Sequence, residues 1–206
     1  MSELDQLAAE VSVCTKCILH KGRVRAVPGE GPADAEIMFI GEGPGFHEDR
    51  QGRPFVGPAG QFLDELLAMI GLKREKCFVC NVVKCRPPGN RDPLPEEIEA
   101  CKPYLDRQIA LIKPKVIVTL GRFSMARAFP NEKISAIHGR PRKIDGVVWV
   151  PMYHPAAALH QHSLRAAVEE DFKKLPKILA ELDRVEQVEP AEEEKPEPPA
   201  QQLSLF

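Results

Sequence analysis

Aromatic side chains are scarce in this chain, at 6% of 206 residues with one Trp and two Tyr. Its core must therefore rest on aliphatic residues, and a hydrophobic share of 43% is enough to supply them. Long apolar runs are missing as well, and none approaches the ~18 residues that a membrane span needs. The N-terminus, MSELDQLAAEVS, lacks the basic-then-apolar pattern of an export signal. These absences exclude membrane-spanning and collagen-like chains and set the expectation of a cytoplasmic protein without membrane contact. In that setting six cysteines point to metal or redox chemistry rather than to a disulfide framework.

Net charge is small, at −2, but unevenly spread. Residues 185–206, VEQVEPAEEEKPEPPAQQLSLF, hold six Glu and one Lys, which leaves residues 1–184 mildly basic. A Pro/Glu tract buries too little apolar surface to offset chain entropy, so the expected organisation is one domain over 1–184 and a disordered acidic tail over 185–206. A mildly basic body permits nucleic-acid binding without requiring it.

Four apolar runs read as strands: 36–40 (EIMFI), 77–84 (CFVCNVVK), 115–120 (KVIVTL) and 147–152 (VVWVPM). Helical patterns lie between them. Phe62, Leu63, Leu66, Leu67 and Ile70 share one helical face, with Gly71 as its stop. A helix is expected over 95–101, broken or restarted at Pro103, and a last helix capped by Ser163 and reaching about Arg184. Trp149 reads as core. Alternating strands and helices imply an α/β fold, a single three-layer domain with a central, mostly parallel four-stranded sheet flanked by helices. Ligands bind such sheets at the carboxyl ends of the strands. Gly41-Glu42-Gly43-Pro44-Gly45, Asn81 and Tyr153-His154-Pro155 all fall at those ends.

The cysteines sort by position. Cys77 and Cys80 lie three apart on a strand, so they face opposite sides of a sheet and make a poor chelate. Cys14, Cys17, Cys85 and Cys101 fall on loops or element ends, where ligands can converge. Four thiolates suit zinc or an iron–sulfur cluster, and spacing alone does not choose between them.

Five motifs together resemble the family 4, thermostable-type uracil-DNA glycosylases: CTKC at 14–17, GEGPGFHEDRQGRPFVGPAG at 41–60, NVVKCRPPGNRDP at 81–93, the EEIEAC run ending at Cys101, and YHPAA at 153–157. The resemblance spans most of residues 10–180. It implies a [4Fe–4S] cluster held by Cys14, Cys17, Cys85 and Cys101, structural rather than catalytic. It implies monofunctional hydrolysis of the N-glycosidic bond of uracil in DNA, leaving an abasic site for base excision repair. Residue by residue it implies that His154 donates to uracil O2, that the Asn81 amide reads the uracil edge, that Phe55 stacks on the base, and that the backbone of Gly41, Glu42 and Gly43 lies close to it. Glu42 is the favoured catalytic carboxylate, with Glu48 its competitor, and Asn90 could position water. Residues 86–95 hold no His, so turnover is expected rather than covalent trapping.

Three further features have plainer readings beside the functional ones. His138 with Arg140, Arg142 and Lys143 is either a phosphate contact or a solvated hairpin turn. Leu159 is either a wedge into the base stack or an ordinary helix residue. The last five residues, Gln202, Leu203, Ser204, Leu205 and Phe206, resemble a bacterial sliding-clamp-binding peptide presented on a tether, which implies a bacterial, nucleoid-associated protein. The chain is expected to be a monomer. The competing function is a non-catalytic DNA-binding module whose metal only shapes a surface.

Overall fold

Side chains alternate across a strand, so a strand apolar on both faces must be covered on both faces. Strands β1 (Ile37–Gly41), β2 (Cys77–Asn81), β3 (Val116–Leu120) and β5 (Val147–Met152) are of that kind, and nearly all their residues are buried. They form one sheet in a computed structural model that describes residues 2–182. The order is β2-β1-β3-β5-β4, where β4 is Arg142–Ile144. The first four pair in parallel, and β4 joins the edge antiparallel to β5.

Met38, Ile40, Phe78, Ile117 and Trp149 project to one face, against α1 (Glu3–Ser12), α4 (Pro95–Ile112), α5 (Arg122–Met125) and α6 (Ile134–Ile137). Phe39, Val79, Val118 and Val150 project to the other, against α3 (Pro58–Met69), α7 (Pro155–His160) and α8 (Arg165–Ala180). A short helix, α2 (Phe46–Gln51), follows β1. The three layers and the mostly parallel sheet agree with the sequence reading. Cys77 and Cys80 fall in the two different cores, as strand alternation requires. Gly71 takes φ +71° just past α3, the left-handed stop that glycine allows.

Three details differ from expectation. The sheet has five strands rather than four. Asp145 and Gly146, with φ +48° and +82°, make a two-residue turn that folds Arg142–Ile144 back onto β5. The Asp-Gly pair carried that signal, but three residues with one apolar side chain are too short to read as a strand. Helix α4 runs unbroken through Pro103. That residue is exposed, so the carbonyl freed by its missing N–H faces water, while Cys101, Tyr104, Leu105 and Gln108 anchor the buried side. Ser163 lies in a 3-10 turn rather than capping α8, whose N-cap is Leu164. The same helix ends at Ala180, with Glu181 as its C-cap, short of the expected Arg184. The acidic tail and its final pentapeptide lie outside the described residues. Among the described residues no helix is long and apolar enough to cross a membrane.

Phe39 and Phe172, both fully buried, stack at 6.2 Å and join the sheet to α8. Phe172→Ala is expected to cost about 3–5 kcal/mol of stability, read from the urea midpoint.

Candidate active site

The strand order reverses around β1, because β2 lies on one side of it and β3 on the other. Such a switch point opens a crevice at the carboxyl ends of the strands. A cavity of about 900 Å³ occupies that place, with Glu42, Phe55, Asn81, Gly121 and His154 in its wall. Of the predicted site residues, Gly43, Glu48 and Asn90 line it too.

Gly41 is not among the residues that line the cavity, and its missing side chain serves the packing beneath it. A Cβ there would sit 2.4 Å from Asn81 Oδ1 and 2.5 Å from Phe55 Cζ. The missing side chain lets those two groups meet over the strand end. Asn81, the last residue of β2, is buried, and its Oδ1 has no hydrogen-bond partner. Buried polar atoms are almost always paired. Among the described residues Thr119 Oγ1 is the other such side-chain atom.

Phe55 sits at φ +51°, a costly backbone for an aromatic residue. Three contacts hold it there. Gly60 packs so tightly that a Cβ would lie 1.9 Å from the Phe55 carbonyl oxygen. Arg74 donates to the Phe55 carbonyl at 3.2 Å and to the Pro54 carbonyl at 2.6 Å. Glu48 Oε1 accepts from the N–H groups of Val56 (2.9 Å) and Gly57 (2.8 Å). The Phe55 ring then lies 5.5 Å from the His154 ring at an interplanar angle of 23°.

His154 is the N-cap of α7, and its Nδ1 accepts the Ala156 N–H at 3.1 Å. That bond leaves the proton of the neutral ring on Nε2. Burial pushes the His154 pKa down to about 4, against an opposing pull from the Glu48 carboxylate. The ring is therefore a neutral donor at physiological pH.

The two candidate carboxylates are in different situations. Glu48 is buried and binds three backbone amides, the third being Gly45 N–H at 3.1 Å, so its oxygens are committed to shaping the loops. Glu42 accepts a weak bond from Phe123 N–H at 3.3 Å, and burial raises its pKa against the opposing pull of the Phe123 and Arg122 backbone amides. Gly121, at φ +96°, makes room for it, since a Cβ there would lie 2.4 Å from Glu42 Oε1. Asn90 is exposed at the rim, and its Oδ1 accepts from Arg86 Nε at 2.7 Å.

Arg74 and Gly121 escaped the sequence reading. Nothing local marks Arg74, whose partners lie 10 to 20 residues away. The positive φ of Gly121 appears only once β3 ends beside β1. Leu159 is exposed at the cavity mouth. So is Phe46, whose ring has Arg50 at 4.9 Å and Arg86 at 5.3 Å. The basic cluster at 138–143 is partly consumed by a hydrogen bond between His138 Nδ1 and Asp171 and an ion pair of Arg142 with Glu132, both at 2.6 Å.

Cys14, Cys17, Cys85 and Cys101 line one narrow second cavity between α1 and α4. All six cysteines are free. Arg23 Nη1 donates to Cys85 Sγ at 3.1 Å, Lys84 N–H to Cys101 Sγ at 3.4 Å, and Lys16 N–H to Cys14 Sγ at 3.5 Å. Among the described residues no three Cys, His, Asp or Glu side chains converge tightly enough to hold a single metal ion.

The family model described as the uracil DNA glycosylase superfamily matches residues 28–182. The chain is 49% identical over 188 residues to a type-4 uracil-DNA glycosylase of Sulfurisphaera tokodaii, covering 86% of each chain. It is 50% identical over 190 residues to one of Saccharolobus solfataricus, covering 87% of this chain and 88% of that one. A third, from Archaeoglobus fulgidus, is 46% identical over 187 residues, with 86% of this chain and 94% of the relative covered. The matched span runs from before β1 to the end of α8 and takes in the whole switch-point cavity, so the chain belongs to the uracil DNA glycosylase superfamily.

Proposed function

We propose that the chain is a monofunctional uracil-DNA glycosylase that hydrolyses the N-glycosidic bond of uracil in DNA and leaves an abasic site, the first step of base excision repair. The observation that carries this reading is Asn81 Oδ1, buried and unpaired beside an aromatic ring at the strand-end cavity. Uracil presents an N3–H donor next to an O4 acceptor. One Asn amide satisfies both, with Oδ1 accepting and Nδ2 donating. Cytosine reverses both groups, so it leaves the amide unsatisfied and is rejected.

The other residues fit the same chemistry. The target base must leave the stack and enter a pocket, where Phe55 gives it a flat face. Bond cleavage puts negative charge on the departing uracil. A neutral His154 Nε2–H aimed at O2 stabilises that charge without first losing a proton. Glu42, the carboxylate with oxygens to spare, orients the attacking water or stabilises the sugar cation; Glu48 instead holds the loops that carry Phe55. Asn90 at the rim is left to position water. Leu159 is placed to enter the base stack, and Phe46 with Arg50 and Arg86 to meet the DNA backbone.

The reading also assigns a [4Fe–4S] cluster to Cys14, Cys17, Cys85 and Cys101. Four thiols spread around a cavity, each of three receiving an N–H donor, suit a polynuclear thiolate cluster better than a single ion. When bound, the cluster supplies a cross-link between the N-terminal segment, the chain after β2 and α4. Residues 202–206 are kept as a clamp-binding peptide on sequence grounds alone.

Asn81→Ala and His154→Ala are expected to lower single-turnover uracil excision by about 100-fold or more while binding to undamaged DNA stays within about twofold. Wild-type excision by both would overturn the site assignment, whereas no excision by the folded wild-type protein would support the binding-module reading. The pH profile separates the two titrating groups. His154 stays neutral above about 4, so the rate is expected to be flat through neutral pH. Glu42 protonates above the ordinary carboxylate range, so the rate falls on the acid side. Glu42→Gln should run about 100-fold slower and lose that acid limb. Protein purified without oxygen is expected to be brown, with iron and sulfide in equal amounts, and Cys101→Ser to lose the colour; a colourless zinc protein would overturn the cluster assignment.

A further inference from the structure

Lys84 is the one ammonium buried in the interior among the described residues, at 1% exposure. No carboxylate pairs with it among the described residues, although a buried charge is costly unless well partnered. Its bonds connect the two centres of the molecule. Nζ donates to the Asn81 carbonyl at 2.8 Å and to Gln108 Oε1 at 2.6 Å. Gln108, on α4, passes the link on by donating from Nε2 to the Pro28 carbonyl at 2.7 Å. The Lys84 backbone N–H donates to Cys101 Sγ, and its carbonyl accepts from Val27 N–H at 2.8 Å. Cys85 is the next residue in the chain.

Asn81 is the last residue of β2; beyond it Val82 N–H still donates to the Gly41 carbonyl at 3.0 Å and Val83 N–H to the Glu42 carbonyl at 3.1 Å, and the Lys84 ammonium adds a bond to the carbonyl of Asn81 itself. Its side-chain Oδ1 touches no donor of the protein. The direction of the amide therefore depends on the backbone at residue 81, and the ammonium of Lys84 holds that backbone by its carbonyl. We infer that Lys84 is a positioning residue for base recognition, which clamps Asn81 against α4 and ties the uracil-reading amide to the thiol centre. The inference rests on the reading of Asn81 given above. An uncharged residue of similar length would fill the same space, so packing alone does not explain a lysine here.

The test is a double-mutant cycle on the cluster-containing protein, with the visible absorption of each sample measured alongside its single-turnover rate. Lys84→Met is expected to keep the chromophore and lower the excision rate about 10–100-fold, with KM for uracil-containing DNA within about twofold. Added to Asn81→Ala, it should cost less than about twofold more, because Lys84 acts through that residue. Equal losses in the two backgrounds, or a wild-type rate for chromophore-bearing Lys84→Met, would overturn the inference and leave the role of Asn81 intact. Wild-type excision by Asn81→Ala overturns the base-reading assignment, and this inference with it. Gln108→Leu removes the α4 end of the clamp while keeping the charge. It is expected to lose about 3–10-fold in the wild-type background and nothing beyond Asn81→Ala, and it decides the question if Lys84→Met does not fold.

Discussion

The site depends on one close approach, at the end of β1. Gly41 offers no Cβ, and into that space come the Asn81 amide from β2 and the Phe55 ring from the loop before α3. A methyl group would overlap both. The demand then spreads outward. Phe55 reaches its place only with a left-handed backbone, which costs energy that the surroundings must offset. Gly60 against its carbonyl, Arg74 on two carbonyls and Glu48 on two amides provide that offset. The close approach at the end of β1 thus goes with a strained loop, and that loop sets the Phe55 ring as a flat, pre-formed wall of the cavity.

Preorganisation is what the chemistry of this family requires of its protein. A flipped base brings no catalytic group of its own, so the donors must already point at the charge that develops on it. His154 is held neutral by burial and given one tautomer by the Ala156 amide. Glu42 is held by Phe123 N–H at the start of α5, with Gly121 leaving room for its oxygen. These groups come from the ends of three different strands, and the switch point of the sheet brings them together.

The six cysteines divide by the same geometry. Cys77 and Cys80 are buried on opposite faces of β2, where burial raises both thiol pKa values and leaves them as small apolar side chains. The other four come from a loop, from the chain beyond β2 and from α4, which meet only in the fold. Lys84 stands where that meeting point joins the end of β2. A polar residue in the interior here connects two elements whose apolar contacts alone would not specify the direction of one amide.

Much of this was legible in the residues themselves. Alternating apolar strands gave the sheet, spacing along a strand separated Cys77 from Cys80, and Gly/Pro-rich strand ends located the crevice. These properties are local, and local sterics decide them. Resemblance supplied the roles of Asn81, Phe55 and His154, and the cavity brings those three together with Glu42. Local rules failed where tertiary contacts outweighed them. Pro103 stays in a helix because that helix is anchored on its buried side, and Arg142–Ile144 becomes a strand because an Asp-Gly turn lays it beside β5. The sequence by itself determined the elements, their layers and the chemistry available at the strand ends. Only the tertiary structure decided which carboxylate is free, which residue holds Phe55 and what the buried lysine touches. Those answers depend on which loops and elements the fold brings together, over separations such as 8 residues for Glu48 and Val56 and 81 for Glu42 and Phe123, and no local pattern encodes such meetings.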